Sequence, residues 1–209
     1  MIKIENIETT GWGPAIRGMR NPMNSWEKSD SLLCGAIDCP DLIIGKNDLE
    51  LMMRLATAGS THAKYRRMIV AYMDVTAPLY WWKEFDTYKV GTVANSCSTM
   101  HKIHAKEFTL DDFSTEHLNE DVIQNPLLPT IQCLNFFREL FIQNHDKDDW
   151  WQMIQLLPSS YNQRRTLMLN YEVLSHMYHD RKDHKLDEWR ELCQMIRELP
   201  YSQLVTLEE

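Results

Sequence analysis

The stretch that decides the fold is Met68–His101, with the sequence MIVAYMDVTAPLYWWKEFDTYKVGTVANSCSTMH. Its first six residues are apolar on both alternating faces, which is typical of a strand buried in a sheet. Pro78 fits the first turn of a helix, because that position needs no backbone N–H and proline already has a helical φ. The aromatic helix that follows is predicted to end at Gly91, and a polar loop rich in Asn, Ser, Thr and Cys comes next. This order of strand, helix and polar loop predicts a binding site.

The same stretch resembles the signature region of the flavin-dependent thymidylate synthases. In that family a strand ends in a Val-x-Ala-Pro-like turn and enters a helix, after which a small residue and two serines follow. The segment Val75–Pro78, with the sequence Val-Thr-Ala-Pro, matches the turn. Gly91 and Thr92 match the small residue and the first serine, and Ser98 matches the second serine.

Two parts of the signature differ from the family. The Arg-His-Arg that contacts flavin in the family is replaced by Thr87, Tyr88 and Lys89. The family's Ser-x-Arg-Tyr is replaced by Ser98–His101, with the sequence Ser-Thr-Met-His, which lacks the arginine. A flavin pyrophosphate needs positive charge or backbone donors. Lys89 is therefore the cation that remains in the first of these motifs.

The last third of the chain adds a second match, in the order that the family has. Leu157 and Pro158 match a Leu-Pro element, and the segment 179–189 matches a later Asn-Leu-Arg region. The resemblance places Arg181 on the arginine that lies against the pyrimidine ring of the nucleotide, and His179 on the asparagine beside flavin. Without the family, the charged residues of this segment are typical of a solvated junction between two helices.

The resemblance implies an α+β fold with an antiparallel sheet packed against helices, in a single domain over residues 1–209 that assembles as a homotetramer. It also implies methylation of dUMP to dTMP, with methylenetetrahydrofolate as the carbon donor, FAD as the cofactor and NADPH as the reductant of the flavin. Arg181 and Ser98 are then the catalytic candidates, and Asn95 joins them in binding the pyrimidine nucleotide. The candidates for flavin binding are Thr87, Tyr88, Lys89 and His179.

Composition and charge limit the other classes of function. The chain has 209 residues and a formal net charge of −8, which disfavours nonspecific binding to nucleic acid. We expect no membrane span, because no apolar run is long enough, and the first residues, MIKIENIETT, lack the apolar centre of a signal peptide. Five cysteines, an odd number without a Cys-x-x-Cys pair, indicate reduced thiols in a cytoplasmic protein.

Periodicity and end signals predict further elements. A helix over 47–58 is predicted to begin at a capping box of Asn47 and Glu50. A helix over 130–144 is predicted to bury one apolar face. The members of that face are Cys133, Phe136, Phe137, Leu140 and Phe141. A helix over 162–178 is predicted to place Leu169, Val173, Leu174 and Met177 on one face, and a last helix is predicted to bury Leu186, Trp189, Cys193 and Ile196. An opening strand is predicted to include Ile2, Ile4 and Ile7.

Metal ligation is not predicted. Cys34 and Cys39 lack a partner pair with the spacing of a zinc site, and His101 and His104 lack carboxylates at defined positions nearby. Loop thiols and hydrogen-bonding histidines are the favoured interpretation.

Two alternatives to the thymidylate reaction stay open. In the first, the fold is kept and a different pyrimidine nucleotide is modified, with Cys97 as a nucleophile beside His101 and Lys102. In the second, the protein is a synthase-like scaffold that binds a nucleotide or a protein partner without catalysis. The absence of the family's arginines favours this second alternative.

Overall fold

The computed structural model describes residues 2–33 and 42–208. In chain order its strands and helices are β1 Lys3–Thr10, α1 Trp12–Arg20, β2 Leu32–Leu33, β3 Leu42–Ile43, α2 Lys46–Thr57, β4 Val70–Pro78, α3 Leu79–Phe85, β5 Thr92–Ser96, α4 Glu120–Val122, α5 Leu128–Asn144, α6 Lys147–Leu156, β6 Asn162–Asn170, α7 Tyr171–Arg181, α8 Asp187–Glu198 and α9 Gln203–Thr206. Short 3₁₀ turns occur at Asn21–Met23, Trp26–Lys28, Ala63–Arg67 and Leu110–Asp112, and a π turn occurs at Ile123–Leu127.

Four of the strands form one antiparallel sheet in the order β1-β4-β6-β5. The short strands β2 and β3 pair separately, with Leu32 opposite Ile43. The α+β class predicted from the sequence, with an antiparallel sheet and helices, is confirmed. The opening strand at the start of the chain is found as β1.

Contacts within the chain group into two compact units. Unit 1 comprises Met1–Ile4, Asp74–Thr87 and Asn95–Thr166. Unit 2 comprises Glu5–Met73, Tyr88–Ala94 and Leu167–Glu209. The single domain over residues 1–209 stays a prediction.

The aromatic residues of α3 form one apolar cluster in unit 1. Trp81, Trp82 and Phe85 are buried, and their ring centres lie 4.7 to 5.1 Å apart. Edge-to-face packing of this kind adds to the stabilisation that burial already gives. The indole N–H of Trp82 donates to the backbone oxygen of Gln163 at 3.0 Å, which ties α3 to the start of β6.

A second apolar cluster of unit 1 forms around α5. Its buried members are Ile103, Phe108, Phe113, Leu127, Ile131, Leu134 and Met153. The face predicted to be buried is partly wrong, since Phe136 is 56 % exposed while Ile131 and Leu134 are buried. This helix carries apolar residues on all of its sides, so the helical period of the sequence could not show which side packs against the core.

β4 is buried on one face only. Ala71, Met73 and Val75 are at most 1 % exposed, whereas Tyr72 on the other face is 41 % exposed. The prediction of a strand buried on both faces is therefore wrong for this chain. The aromatic ring of Tyr72 suggested that this face is buried. The next residues on the same face, Asp74 and Thr76, are polar, which fits a face that is at least partly exposed.

The helix after β4 is shorter than predicted. Pro78 is extended, with φ −69° and ψ 152°, and α3 begins at the next residue and ends at Phe85. Gly91 does not end that helix; it has a φ of +78° and lies in the turn before β5. The predicted polar loop is in part β5, Thr92–Ser96. Its exposed polar residues fit a strand at the edge of the sheet.

The helix predicted over 162–178 is wrong in its first half, which forms β6. Gln163, Leu167 and Leu169 are buried, and the residues between them are at least partly exposed, so the period is two. Asn170 then caps α7, because its side-chain oxygen accepts the N–H of Val173 at 2.9 Å. The apolar residues predicted for the second half, among them Leu174, are buried in α7.

The helix α2 of unit 2 lies within one residue of its predicted bounds, but Asn47 does not cap it. The carboxylate of Asp30 accepts the N–H groups of Asn47 and Asp48, at 2.9 and 3.1 Å. A cap supplied from a distant residue leaves no local signal in the sequence. The other end of α2 does have a local signal, since Gly59 follows the helix with a φ of +102°, a conformation that glycine adopts readily.

The predicted last helix corresponds to α8, which buries three of the four residues predicted for its face; the fourth, Leu186, precedes the helix and is partly exposed. Trp189, Cys193 and Ile196 are at most 3 % exposed. Burial raises the pKa of Cys193 to about 11, so its thiol stays protonated and poorly reactive near neutral pH. Among the described residues, no helix has the length and apolar character needed to span a membrane.

Candidate functional site

A cavity of about 460 Å³ lies in unit 1, and its volume is within the range of small-molecule sites. Its walls come from Thr76 on β4, from the turn that follows β5, and from the first residues of β6. The lining residues are Thr76, Cys97, Ser98, Thr99, Lys102, Lys106, Asp111, Asp112, Tyr161, Asn162, Gln163 and Arg164. Most of these side chains are polar, which suits a polar ligand.

Some of the charged side chains around the cavity form ion pairs with other described residues, whereas others do not. Lys106 forms an ion pair with Asp112, and Arg164 contacts Asp74 at 2.8 Å. For Lys102, by contrast, residues 2–33 and 42–208 supply no side-chain partner. Its ammonium group is therefore available to an anionic ligand.

Ser98 begins a turn at the wall of the cavity. Its hydroxyl oxygen accepts the N–H groups of Met100 and His101, at 3.2 and 3.0 Å. The hydroxyl proton is still free to be donated to a ligand. Asn95, the other nucleotide candidate of this segment, is exposed on β5 and does not line the cavity.

A second cluster of candidate residues lies in unit 2. The Nε–H of Arg181 donates to the hydroxyl oxygen of Tyr88 at 2.9 Å, and that hydroxyl donates to Asp180 at 3.3 Å. The guanidinium carbon of Arg181 lies 4.8 Å from the ring centre of Trp189. Tyr88 and Arg181, which are distant in sequence, are thus brought together.

Burial is the main influence on the pKa of Tyr88, and it raises that pKa. The hydrogen bond and the positive charge of Arg181 oppose the rise, because both favour the phenolate, but they do not cancel it. Tyr88 therefore stays protonated near neutral pH and keeps its proton for donation.

The remaining flavin candidates have different surroundings. The hydroxyl of Thr87 donates to the backbone oxygen of Glu84 at 2.7 Å and so closes the end of α3. Lys89 is exposed. His179 is also exposed, with its ring centre 5.5 Å from that of Tyr178.

The sequence did not identify several residues of the cavity wall. Tyr161, Gln163 and Arg164 lie at or near the start of β6, a segment predicted to be a helix from Asn162. The signal that could have found them is the alternation of buried and exposed residues through Leu169. Lys102 was noted only as a neighbour of Cys97.

Metal ligation finds no support in the described residues. They contain no group of three or more His, Cys, Asp or Glu side chains placed to hold a metal ion. The ring of His104 lies 4.9 Å from that of Phe141, centre to centre, and His101 is exposed. Cys34 and Cys39 lie outside the residues that the structure describes.

Two solved structures have a similar fold. A crystal structure of thymidylate synthase X from Helicobacter pylori with FAD and dUMP has a TM-score of 0.70 and 17 % sequence identity; the match covers 99 % of this chain and 98 % of that chain. A second structure of the flavin-dependent thymidylate synthase from that organism, complexed with FAD and dUMP, has a TM-score of 0.69 and 18 % identity, and covers 97 % of this chain and 98 % of that one. No family model matches the sequence, and no curated protein matches it. The chain thus has a fold like that of the flavin-dependent thymidylate synthases over nearly its whole length.

Proposed function

We propose that this protein binds a pyrimidine nucleotide and methylates dUMP to dTMP, with FAD as cofactor and with methylenetetrahydrofolate and NADPH as co-substrates. The observation that carries the proposal is the similarity, over nearly the whole chain, to synthases crystallised with FAD and dUMP. The proposal includes assembly as a homotetramer in the cytoplasm.

The cavity of unit 1 supports binding of the nucleotide. Ser98 offers a hydroxyl proton, and Lys102, which has no side-chain partner among the described residues, offers a positive charge for the phosphate. This lysine takes the place of the arginine that Ser98–His101 lacks. By resemblance to the family, Asn95 of unit 1 and Arg181 of unit 2 are each proposed as nucleotide contacts, with Arg181 polarising the pyrimidine ring.

The residues of unit 2 fit the chemistry of a flavin dinucleotide. Lys89 is an exposed cation without a side-chain partner among the described residues, and it can face a pyrophosphate. Tyr88 is half-buried and supplies aromatic surface, and the guanidinium carbon of Arg181 lies 5.6 Å from its ring centre. By resemblance to the family, His179 of this unit and Thr87, which belongs to unit 1, are each also proposed as flavin contacts. When bound, FAD supplies hydride equivalents for the reaction.

The first experiment measures retained flavin and then turnover. The purified protein is incubated with FAD, passed through a desalting column and examined for visible flavin absorbance, with and without dUMP. We expect retained flavin whose spectrum shifts with dUMP, and dTMP formation when methylenetetrahydrofolate and NADPH are added. Absence of retained flavin under both conditions would contradict the proposal.

A pair of lysine variants tests the nucleotide site. Lys102→Met is expected to weaken dUMP binding by about 10- to 150-fold, because a charge-assisted contact to phosphate contributes roughly 1.5–3 kcal/mol. Lys185→Met, at an exposed lysine of unit 2, is the matched control and should bind dUMP as the unmodified protein does. Equal binding by both variants would show that Lys102 does not contact the nucleotide.

A nucleotide-binding scaffold without catalysis is the second candidate. One observation favours it: the Nε–H of Arg181 is already engaged by Tyr88. This candidate predicts that dUMP binds without FAD and that no dTMP forms. Modification of another pyrimidine nucleotide, with Cys97 as nucleophile, would instead show as turnover that Cys97→Ser abolishes.

A further inference from the structure

Arg165 is held rigidly beside the cavity, although it does not line the cavity. Its Nη1 and Nη2 donate to the two carboxylate oxygens of Asp86, at 2.7 and 3.5 Å. Its guanidinium carbon lies 4.1 Å from the ring centre of the buried Trp82. Only 14 % of the Arg165 side chain is exposed. The guanidinium is paired with a carboxylate and lies against an aromatic ring, and these two contacts restrict rotation of the Arg165 side chain.

A third donor of this guanidinium, the Nε–H, fixes the orientation of Gln163. The Nε–H of Arg165 donates to Oε1 of Gln163 at 3.1 Å, and Nε2 of Gln163 donates to the backbone oxygen of Cys97 at 2.8 Å. Because an arginine has no acceptor, the amide oxygen must face Arg165. The amide N–H group is thereby directed at Cys97.

Cys97 is held from both of its backbone groups. Its oxygen accepts from Gln163, and its N–H donates to the backbone oxygen of Arg164 at 2.9 Å. Ser98 follows directly and begins the turn at the cavity wall. One of the two hydrogen bonds that hold the start of this turn therefore depends on the orientation of the Gln163 amide.

We infer that Arg165 is a positioning residue for the cavity: through the amide of Gln163 it fixes the Cys97–Ser98 segment that forms the wall. Arg165 itself touches no proposed ligand. Replacement of Arg165 frees the amide to rotate by half a turn, and the backbone oxygen of Cys97 then loses its donor. The role of this segment in binding nucleotide rests on the proposed function, but the positioning itself does not.

The test is the rate at which iodoacetamide alkylates Cys97 in the native protein without ligands, followed by mass spectrometry of the peptide that contains it. Cys97 is exposed, so the unmodified protein gives a measurable rate. Arg165→Met is expected to raise this rate by up to about fivefold; one lost hydrogen bond of about 1 kcal/mol sets this upper limit, because an exposed thiol already reacts while the segment is held in place. An unchanged rate would overturn the inference.

Two references separate positioning from a general loss of structure. Cys193 is buried in α8, and its alkylation reports opening of the protein as a whole. If Arg165→Met raises the alkylation rate of Cys193 by as large a factor as that of Cys97, the role of Arg165 is merely structural and the inference fails. Arg190→Met removes an exposed arginine that is paired with Asp187, and it should leave the Cys97 rate unchanged.

A double variant tests the route through Gln163. Gln163→Leu alone should accelerate alkylation of Cys97 by the same factor as Arg165→Met, and the two substitutions together should add nothing further. Additive effects would show that Arg165 does not act through Gln163. Protection of Cys97 by dUMP is measured separately: its absence would count against the proposed nucleotide site and leave the positioning role standing.

Discussion

At the scale of single residues, one buried carboxylate organises the start of unit 2. Asp48 is fully buried and accepts hydrogen bonds from Arg20 at 2.6 Å and from the hydroxyls of Ser29 and Ser31, at 2.7 and 2.6 Å. Burial by itself raises the pKa of Asp48. The hydrogen bonds from the two serines and Arg20, together with the charge of Arg20, outweigh burial and lower the pKa below 3.8.

The first prediction concerns Asp48→Asn. The variant leaves Arg20 buried without a counter-charge, so the free energy of unfolding at neutral pH should fall by about 3–5 kcal/mol. In the unmodified protein the folded-state pKa is lowered, so the ionised carboxylate stabilises the fold above the unfolded pKa. This contribution is lost as the pH falls through the folded pKa. The variant should therefore lose less stability between neutral pH and about pH 3.

Urea unfolding at the two pH values measures this difference. Asp121→Asn, at an exposed carboxylate of α4, is the control and should change the free energy of unfolding by less than about 0.5 kcal/mol. An Asp48→Asn protein as stable as the control would show that the buried pair contributes nothing net.

The second prediction concerns Arg181 and depends on the proposed function. Arg181→Lys keeps the positive charge but cannot both donate to Tyr88 and stack on Trp189. We expect the dissociation constant of dUMP to rise about tenfold, which corresponds to a loss of about 1.4 kcal/mol. Titration calorimetry measures it, and Arg190→Lys on α8 is the matched control. Unchanged affinity would place the nucleotide away from Arg181.

At the scale of elements, a glycine turn controls the cap of the helix that carries Arg181. Gly91 has a φ of +78°, and a Cβ added there would lie 2.2 Å from Nδ2 of Asn170. Asn170 is the N-cap of α7. Its backbone N–H also donates to the oxygen of Gly91 at 3.2 Å. The turn and the cap are therefore one packed unit.

The third prediction is a cycle of substitutions at these two positions. Gly91→Ala should lower the free energy of unfolding by about 1–2 kcal/mol for the left-handed backbone, and by about 1 kcal/mol more for the displaced cap. Asn170→Ala should cost about 1 kcal/mol. The double variant should lose less than the sum, because the added methyl group no longer meets the amide. Urea unfolding measures the cycle, and strict additivity would contradict the coupling.

Sequence patterns correctly predicted the helices that bury apolar residues at regular helical spacing. They failed for the strands β5 and β6, whose burial depends on pairing partners that are distant in the sequence. The faces of α7 and α8 were predicted because Leu174, Trp189 and Ile196 recur at helical spacing and are all buried. β6 was assigned to a helix because Leu169 fits both periods, and its pairing partners are far away in the chain. β5 looked like a loop because an edge strand tolerates polar residues.

The candidate site was predictable only in part for a related reason. Tyr88 and Arg181 were singled out by resemblance, and they do form a pair. The place of Gln163 in the cavity wall, and the contact of Arg165 with Gln163, can be recognised only when β6 is known to be a strand. A hydrogen bond such as that from Gln163 to Cys97 joins residues 66 positions apart, and no local pattern encodes it.

At the scale of the whole molecule, the boundaries between the two units have an unusual location. Each strand of the four-stranded sheet has residues in both units, because the divisions after Ile4, Met73, Ala94 and Thr166 fall inside β1, β4, β5 and β6. Domain boundaries normally lie in exposed linkers that few contacts cross. A division inside strands means that no linker separates the two units at these four positions, because the backbone of each strand continues from one unit into the other.

The fourth prediction is therefore that the chain unfolds in one cooperative transition, as the single domain over residues 1–209 requires. Asp48→Asn weakens a pair that lies wholly in unit 2, whereas the amide of Leu134 in α5 belongs to unit 1. If unfolding is cooperative, the substitution should accelerate hydrogen exchange at Leu134 and at the slowest amides of α8 by a common factor, since both exchange through global opening. Exchange mass spectrometry of peptides from α5 and α8 measures both, with Asp121→Asn as the control. Acceleration confined to α8 would instead show two units that open independently, and would remove the basis for a single domain.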